Sequence, residues 1–282
     1  MSFTWGEAWR GKQRAERIVK FALRRVAQPC VLGVLAYIFP KTAIFYAICG
    51  IYDVGRNRRI DATTLRRYFI GNGFPTWVLS PINIILDLLS LPYINKGVYR
   101  LEDLPLTHRE EVTRLIEAAK NADLVHQLDE RAKENARTMI FFRWYGVNVD
   151  TFLDVPSFHQ PWNYIETIGV SIFNRRVSTS KHFGFIRPTL RVLYNLNEMT
   201  DDSAYIVVGD TVNCWRDHKL FIFDDTLLHE SVNETDQTRY CLFVDMIRPT
   251  PFPSVMRAFV YIIRLLTESF KFVYYQNWKL VQ

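Results

Sequence analysis

Between the apolar runs Leu220 to Phe223 and Tyr240 to Val244, the chain reads FDDTLLHESVNETDQTRY over residues 223–240. Asp224, Asp225, His229, Glu230 and Arg239 therefore crowd a segment carried between two expected strands, where sites are commonly built. An imidazole can ligate a metal or carry a proton, and a guanidinium can grip a carboxylate through two charge-assisted hydrogen bonds. A second histidine, His182, stands at another expected strand margin 47 residues upstream. Taken singly, a histidine is more often a satisfied polar residue than a ligand, and the stretch HisGluSerValAsn lacks the second histidine of a zinc-protease helix. The elements around these residues must decide.

Those elements read as strands. Phe141-Phe142, Gly169 to Asn174, Thr189 to Leu196, Ala204 to Gly209, Lys219 to Asp224 and Arg239 to Ile247 are short apolar or β-branched runs with Gly, Asp and Asn turns between them. Their close succession without intervening helices predicts an all-β barrel or sandwich core. A charged helical stretch precedes them from Leu106 to Ala136, with Thr107 and Glu110 spaced as a capping box.

The flanks differ in character. At 282 residues the chain holds one catalytic-sized core plus attachments. Its net charge of +6 suggests an anionic partner, nucleic acid or a phospholipid surface. The cations favour the membrane, because Arg10 to Arg25 and Arg56 to Arg59 flank two apolar runs, Val31 to Phe39 and Ala43 to Tyr52, separated by Pro40-Lys41. Only together do these runs approach a span of about 20 residues, so a re-entrant hairpin bent at Pro40 is expected, with both ends cytoplasmic. A third apolar stretch, Phe74 to Ile94, is interrupted by Pro81 and Asp87 and reads as interfacial. Buried core helices remain the alternative for both stretches. From Val255 to Leu280 the cations Arg257, Arg264 and Lys271 recur every seven residues, as in a basic amphipathic helix that lies in a headgroup layer or packs on the domain. No cleavable signal peptide is read. Four cysteines without metal-type spacing suit a reduced, cytosol-facing chain. No nucleic acid partner is expected.

The residues Trp215, Phe223-Asp224-Asp225, His229-Glu230, Asn233, Arg239 and Arg248-Pro249 stand in an order and spacing that resembles the C-terminal half of the aspartyl/asparaginyl β-hydroxylase family. The resemblance implies a mainly β, double-stranded β-helix (jelly-roll, cupin-like) core that uses iron(II), 2-oxoglutarate and O₂. By position, His182 and His229 match the metal-binding histidines. Arg239 matches the arginine that pairs with the distal carboxylate of 2-oxoglutarate, Ser171 the serine that supports it, and Arg191 a second cosubstrate contact. Iron(II) accepts such nitrogen and oxygen ligands and needs open positions. Two departures stand out. Gly184 occupies the position two after His182 where many related oxygenases place a carboxylate, so Asp225 is expected to serve catalysis by orienting a metal-bound water. Leu193 stands where the family has a histidine at the keto-acid end of the cosubstrate.

Phe69 to Pro105 also resembles the membrane-proximal segment of bacterial lipid A hydroxylases. The implied organisation is a membrane-associating helical region over 1–100, a dioxygenase domain over 101–250 and the amphipathic helix over 251–282. The implied function is hydroxylation of a lipid A acyl chain at its 2-position, at the cytoplasmic face of the bacterial inner membrane. Another membrane lipid, such as an ornithine lipid, is the alternative substrate. A catalytically silent barrel that binds a lipid or partner is the alternative function that Leu193 permits.

Overall fold

The computed structural model describes residues 28–132, 136–269 and 279–280. The basic cluster from Arg10 to Arg25 and Lys271 lie outside the described residues. The strands are β1 (Val98–Tyr99), β2 (Arg137–Trp144), β3 (Val147–Asn148), β4 (Ile165–Phe173), β5 (Thr189–Asn195), β6 (Ala204–Val208), β7 (Thr211–Cys214), β8 (Leu220–Phe223), β9 (His229–Asn233), β10 (Arg239–Ile247) and β11 (Lys279–Leu280). The large sheet runs β1, β8, β5, β10, β4, β2, β11, with β3 pairing β2; the small one runs β7, β6, β9. An isolated antiparallel bridge, His182 to His229, adds the chain between β4 and β5 beside β9. After β4 the chain thus crosses to the small-sheet side at His182, returns for β5, crosses for β6 and β7, returns for β8, crosses for β9 and returns for β10. That alternation is the winding of a jelly roll, so the expected mainly β core is present.

Period-two alternation divides the large sheet. On one face Ile140, Val170, Leu242, Ile168, Val244, Val192 and Ile222 are buried against helices that carry Val112, Leu115, Ile116 and Leu128. Each such side chain contributes roughly 1.5–3 kcal/mol on burial. On the other face, register places Phe141, Gly169, Phe243, Leu193 and Phe221 in one row across five strands. This inner face packs on Ala204, Ile206 and Val208 of β6.

The helices are α1 (Gln28–Ile38), α2 (Pro40–Gly55), α3 (Ala62–Phe69), α4 (Phe74–Val78), α5 (Ser80–Leu89), α6 (Leu106–Asn121), α7 (Leu124–Ala132) and α8 (Pro253–Ser269). The bend expected at Pro40 falls on Phe39, whose ψ of 63° leaves the helical range. Among the described residues no helix is long and apolar enough to cross a membrane. One side of α2 packs inward, where a Cβ on Gly50 would meet the Trp77 ring at 2.6 Å. Its other side exposes Ile44, Phe45, Ile48, Ile51 and Tyr52 at 53–66%.

Two local expectations fail. Helix α6 begins at Leu106 under an extended Pro105, with no side-chain cap, so Thr107 lies inside the first turn and forms no capping box. The Pro105 carbonyl takes the amides of His108 and Arg109 instead. The helix read from Val255 to Leu280 is described as far as Ser269, residues 270–278 lie outside the described residues, and at its expected end Lys279–Leu280 instead pair in parallel with Thr138 and Met139 of β2.

Candidate active site

The two histidines meet through their backbones before their rings. His182 and His229 exchange both amide-to-carbonyl bonds at 2.9 Å, and their ring centroids lie 4.1 Å apart. Each ring is then held by its own chain: Nδ1 of His182 lies 2.8 Å from Ser180 O, and Nδ1 of His229 lies 2.8 Å from Leu227 O. A carbonyl only accepts, so both Nδ1 atoms carry the proton and both Nε2 atoms keep a free lone pair. Burial lowers both pKa values, well below the ordinary range for His229, where the neighbouring His182 adds to the effect. Two neutral imidazoles with Nε2 open are suited to a soft-edged divalent cation.

Adjacent aspartates point to opposite sides of their turn. Asp224, fully buried, faces the helices and receives Arg56, Asn95 and Thr226. Burial opposes its ionisation, but Arg56, Thr226 and Arg248 hold its carboxyl below the usual range. Asp225 faces the histidine strand, and its carboxylate fills the space that a side chain at position 184 would need: a Cβ on Gly184 would sit 2.6–2.7 Å from it. Burial pushes the Asp225 carboxyl up to about 7, with Arg191 opposing and Asp245 and Asp224 reinforcing. Among the described residues no group of three or more His, Cys, Asp or Glu could hold a metal together. The residues therefore fit a two-histidine centre with a carboxylate alongside, and do not fit the three-ligand pattern.

Arg191 is clamped. Its Nε donates to Asp245 at 2.7 Å, its Nη2 to Asp225 at 3.0 Å, and its guanidinium lies 3.9 Å from the Phe243 ring centroid. Arg239, six residues before Asp245 on the same inward face of β10, is open by contrast. It is 1% exposed, stacks over Phe173 and Trp215, and donates from Nη2 to Ser231 at 2.8 Å. Its Nε and Nη1 are buried without a partner. Burial alone would lower its pKa, yet a guanidinium stays protonated. An uncompensated buried cation is costly, and a ligand carboxylate would relieve it. Ser171 pairs in register with Cys241, two residues from Arg239, and its hydroxyl donates to the Cys241 carbonyl at 3.3 Å. This corner fits the distal carboxylate of a keto diacid.

The structure thus brings His182, His229, Asp225 and Arg191 to one end of the inner face, and Arg239 and Ser171 to the other. Leu193 lies between, 7% exposed, in the apolar row. Sequence reasoning missed Asp245 and Ser231, the partners of the two arginines. Even spacing from Arg239 and from His229 was the available signal, since residues two apart share a strand face.

A family model described as aspartyl/asparaginyl beta-hydroxylase matches residues 108–249, half of the chain. The ornithine lipid ester-linked acyl 2-hydroxylase of Rhizobium tropici is 43% identical over 54 residues, and that match spans 19% of this chain and 19% of the relative. Among solved structures, a Pseudomonas putida prolyl-4-hydroxylase is similar at 13% identity, over 46% of this chain and 87% of that one, with a TM-score of 0.34. A cupin 2 conserved barrel protein from Salinispora arenicola is similar at 14% identity, over 41% and 82%, with a TM-score of 0.27. With the family match covering the inner-face strands and every residue of the histidine and arginine corners, the chain belongs to the aspartyl/asparaginyl beta-hydroxylase family.

Proposed function

We propose that this protein is an iron(II)- and 2-oxoglutarate-dependent dioxygenase that hydroxylates an acyl chain of a membrane lipid at its 2-position. The observation that carries the reading is the histidine pair, neutral and with both Nδ1 atoms tied to carbonyls, in which His182 is bridged to the strand that carries His229 and presents Ser231 to the open guanidinium of Arg239. His182 and His229 would hold the metal. Asp225, clamped by Arg191, would orient water there in place of the carboxylate that Gly184 lacks. Arg239 and Ser171 would receive the distal carboxylate of the cosubstrate. Iron(II), 2-oxoglutarate and O₂, when bound, would supply the oxidant for the carbon beside the acyl carbonyl.

The lipid end of the reading rests on surface chemistry. Helices α1 and α2 expose Val31, Val34, Leu35, Tyr37 and Ile38 along with the outer side of α2, and Leu88 and Ile94 are 62% and 75% exposed. Apolar area of this extent on a basic chain suits an anionic bilayer surface. Lipid A at the cytoplasmic face of the inner membrane is the substrate and place we favour. An ornithine lipid is the second reading, favoured by the Rhizobium relative.

Mass spectrometry of lipid A and polar lipids from cells expressing the protein or its His229→Ala variant tests both. One added oxygen on a lipid A acyl chain, absent with the variant, is the expected result, and the same gain on an amino lipid would select the second reading. No added oxygen on any lipid, with folded protein and cosubstrates supplied, would overturn catalysis in favour of the silent binding domain that Leu193 permits.

A further inference from the structure

Arg56 caps helix α2 and Asn57 follows it in the turn, both outside the family match at residues 108–249. Both nevertheless reach the turn that carries Asp225 and leads into His229. Arg56 Nη2 donates to Asp224 Oδ2 at 2.7 Å, and its Nη1 to Thr226 Oγ1 at 3.4 Å. Asn57, 2% exposed, accepts at Oδ1 from the amide of Leu228 at 2.7 Å. Its Nδ2 donates to Val54 O at 3.0 Å, which fixes the direction of its amide.

The Leu228 amide belongs to the same planar group as the Leu227 carbonyl. That carbonyl is the one holding Nδ1 of His229 at 2.8 Å. A single peptide is therefore gripped by Asn57 on one side and by the histidine on the other. Hydrogen bonds in such a chain polarise one another, so the Asn57 contact makes the Leu227 carbonyl a better acceptor and fixes its angle. Rotation of this peptide would turn the His229 ring and redirect Nε2. Groups that orient a metal-binding histidine through its other nitrogen tune the metal as well as the ring.

We propose that Asn57 and Arg56 are positioning residues for the metal centre. Asn57 acts on His229 through the Leu227–Leu228 peptide, and Arg56 holds the same turn through Asp224 and Thr226. The inference rests on the metal reading of the histidine pair, but its residues lie in the turn after α2, which the resemblance to known hydroxylases did not assign to the site.

The test is titration of the purified full chain with Mn(II), followed by electron paramagnetic resonance of the free ion, alongside thermal melts. Asn57→Ala is expected to weaken Mn(II) binding roughly 10- to 100-fold. Asn57→Asp, which keeps the acceptor for Leu228, is expected to recover most of that loss, and Arg56→Gln to weaken binding severalfold. Tyr68→Phe removes a hydroxyl from the nearby buried Asp53 without touching the turn, and is expected to leave the affinity unchanged. Wild-type affinity in both Asn57→Ala and Arg56→Gln would overturn this inference alone. So would equal weakening in Tyr68→Phe, which would mark a general loosening of the helices. If Asn57→Ala does not fold, Arg56→Gln decides by the same criterion. Absence of Mn(II) binding in the wild type would overturn the metal reading, and this inference with it.

Discussion

Two arginines on the inner face of the large sheet, Arg191 half-buried and Arg239 fully buried, meet opposite fates. Arg191 is closed by the chain's own carboxylates, Asp225 and Asp245, and stacks on Phe243. Arg239 is the more deeply buried, at 1% exposure, yet two of its nitrogens find no partner and its one side-chain bond goes to a neutral serine. The difference separates two uses of the same residue. A closed arginine fixes geometry, here the carboxylate beside the histidines. An open one leaves an unmet demand for an anion, which the carboxylate of the proposed cosubstrate would meet.

The largest effect expected is on stability, at the closed corner. Arg191→Met leaves Asp245 buried and Asp225 half-buried without their cation, at a cost of about 3 kcal/mol, read as a lower denaturant midpoint at constant slope. An unchanged midpoint would show that the clamp is not what holds that corner. Arg239→Met should do the reverse. Removing an unpaired cation should hold or raise the melting temperature of the ligand-free protein, while 2-oxoglutarate binding measured by calorimetry with Mn(II) falls about 100-fold, or roughly 3 kcal/mol. A destabilised variant with intact cosubstrate binding would erase the contrast between the corners.

Between the corners, Leu193 sets a smaller term. Leu193→His offers the keto-acid end one polar contact and should tighten 2-oxoglutarate binding roughly tenfold, about 1.4 kcal/mol. No gain, or a loss, would mean the apolar row excludes the ligand from that level of the barrel.

The smallest effect comes from a buried base kept neutral. Burial lowers His108, stacked on Tyr164, to about 4. The unfolded value is near 6.5, so the folded pKa is depressed for a base. Its stabilising contribution is complete well above pH 6.5 and is lost as pH falls toward 4, roughly 0.8 kcal/mol of it by pH 6. His108→Gln should flatten that part of the stability profile, and an unchanged acid limb would contradict the assignment.

How much of this was legible in the sequence depends on range. Strand β10 was read to the residue, because Arg239 to Ile247 is buried on both faces and bounded by turn residues. The strands β7 and β9 were passed over, since ThrValAsnCys and HisGluSerValAsn carry their inward groups as polar side chains and lack an apolar alternation. The histidine pair and Arg239 were found by resemblance. The partner of Arg191 depends on register: Asp245 meets it only because β5 and β10 pair at that step, 54 residues apart in the chain. The adjacent aspartates raised the right question, but their division of labour follows from a turn that sends one toward the helices and the other toward the histidines. The capping box at Thr107 failed because Pro105 had already supplied the helix start.

In the proposed function, the histidine corner and the open arginine together would couple cosubstrate turnover to lipid hydroxylation. The most direct test counts two products in one reaction of purified protein with iron(II), 2-oxoglutarate, O₂ and a bacterial lipid extract in vesicles: succinate released, and oxygen gained on acyl chains. The two should rise together in the wild type and vanish together in His229→Ala and Arg239→Met. Succinate without lipid oxygen would contradict the lipid assignment, and neither product from folded, metal-loaded protein would contradict the account at its root.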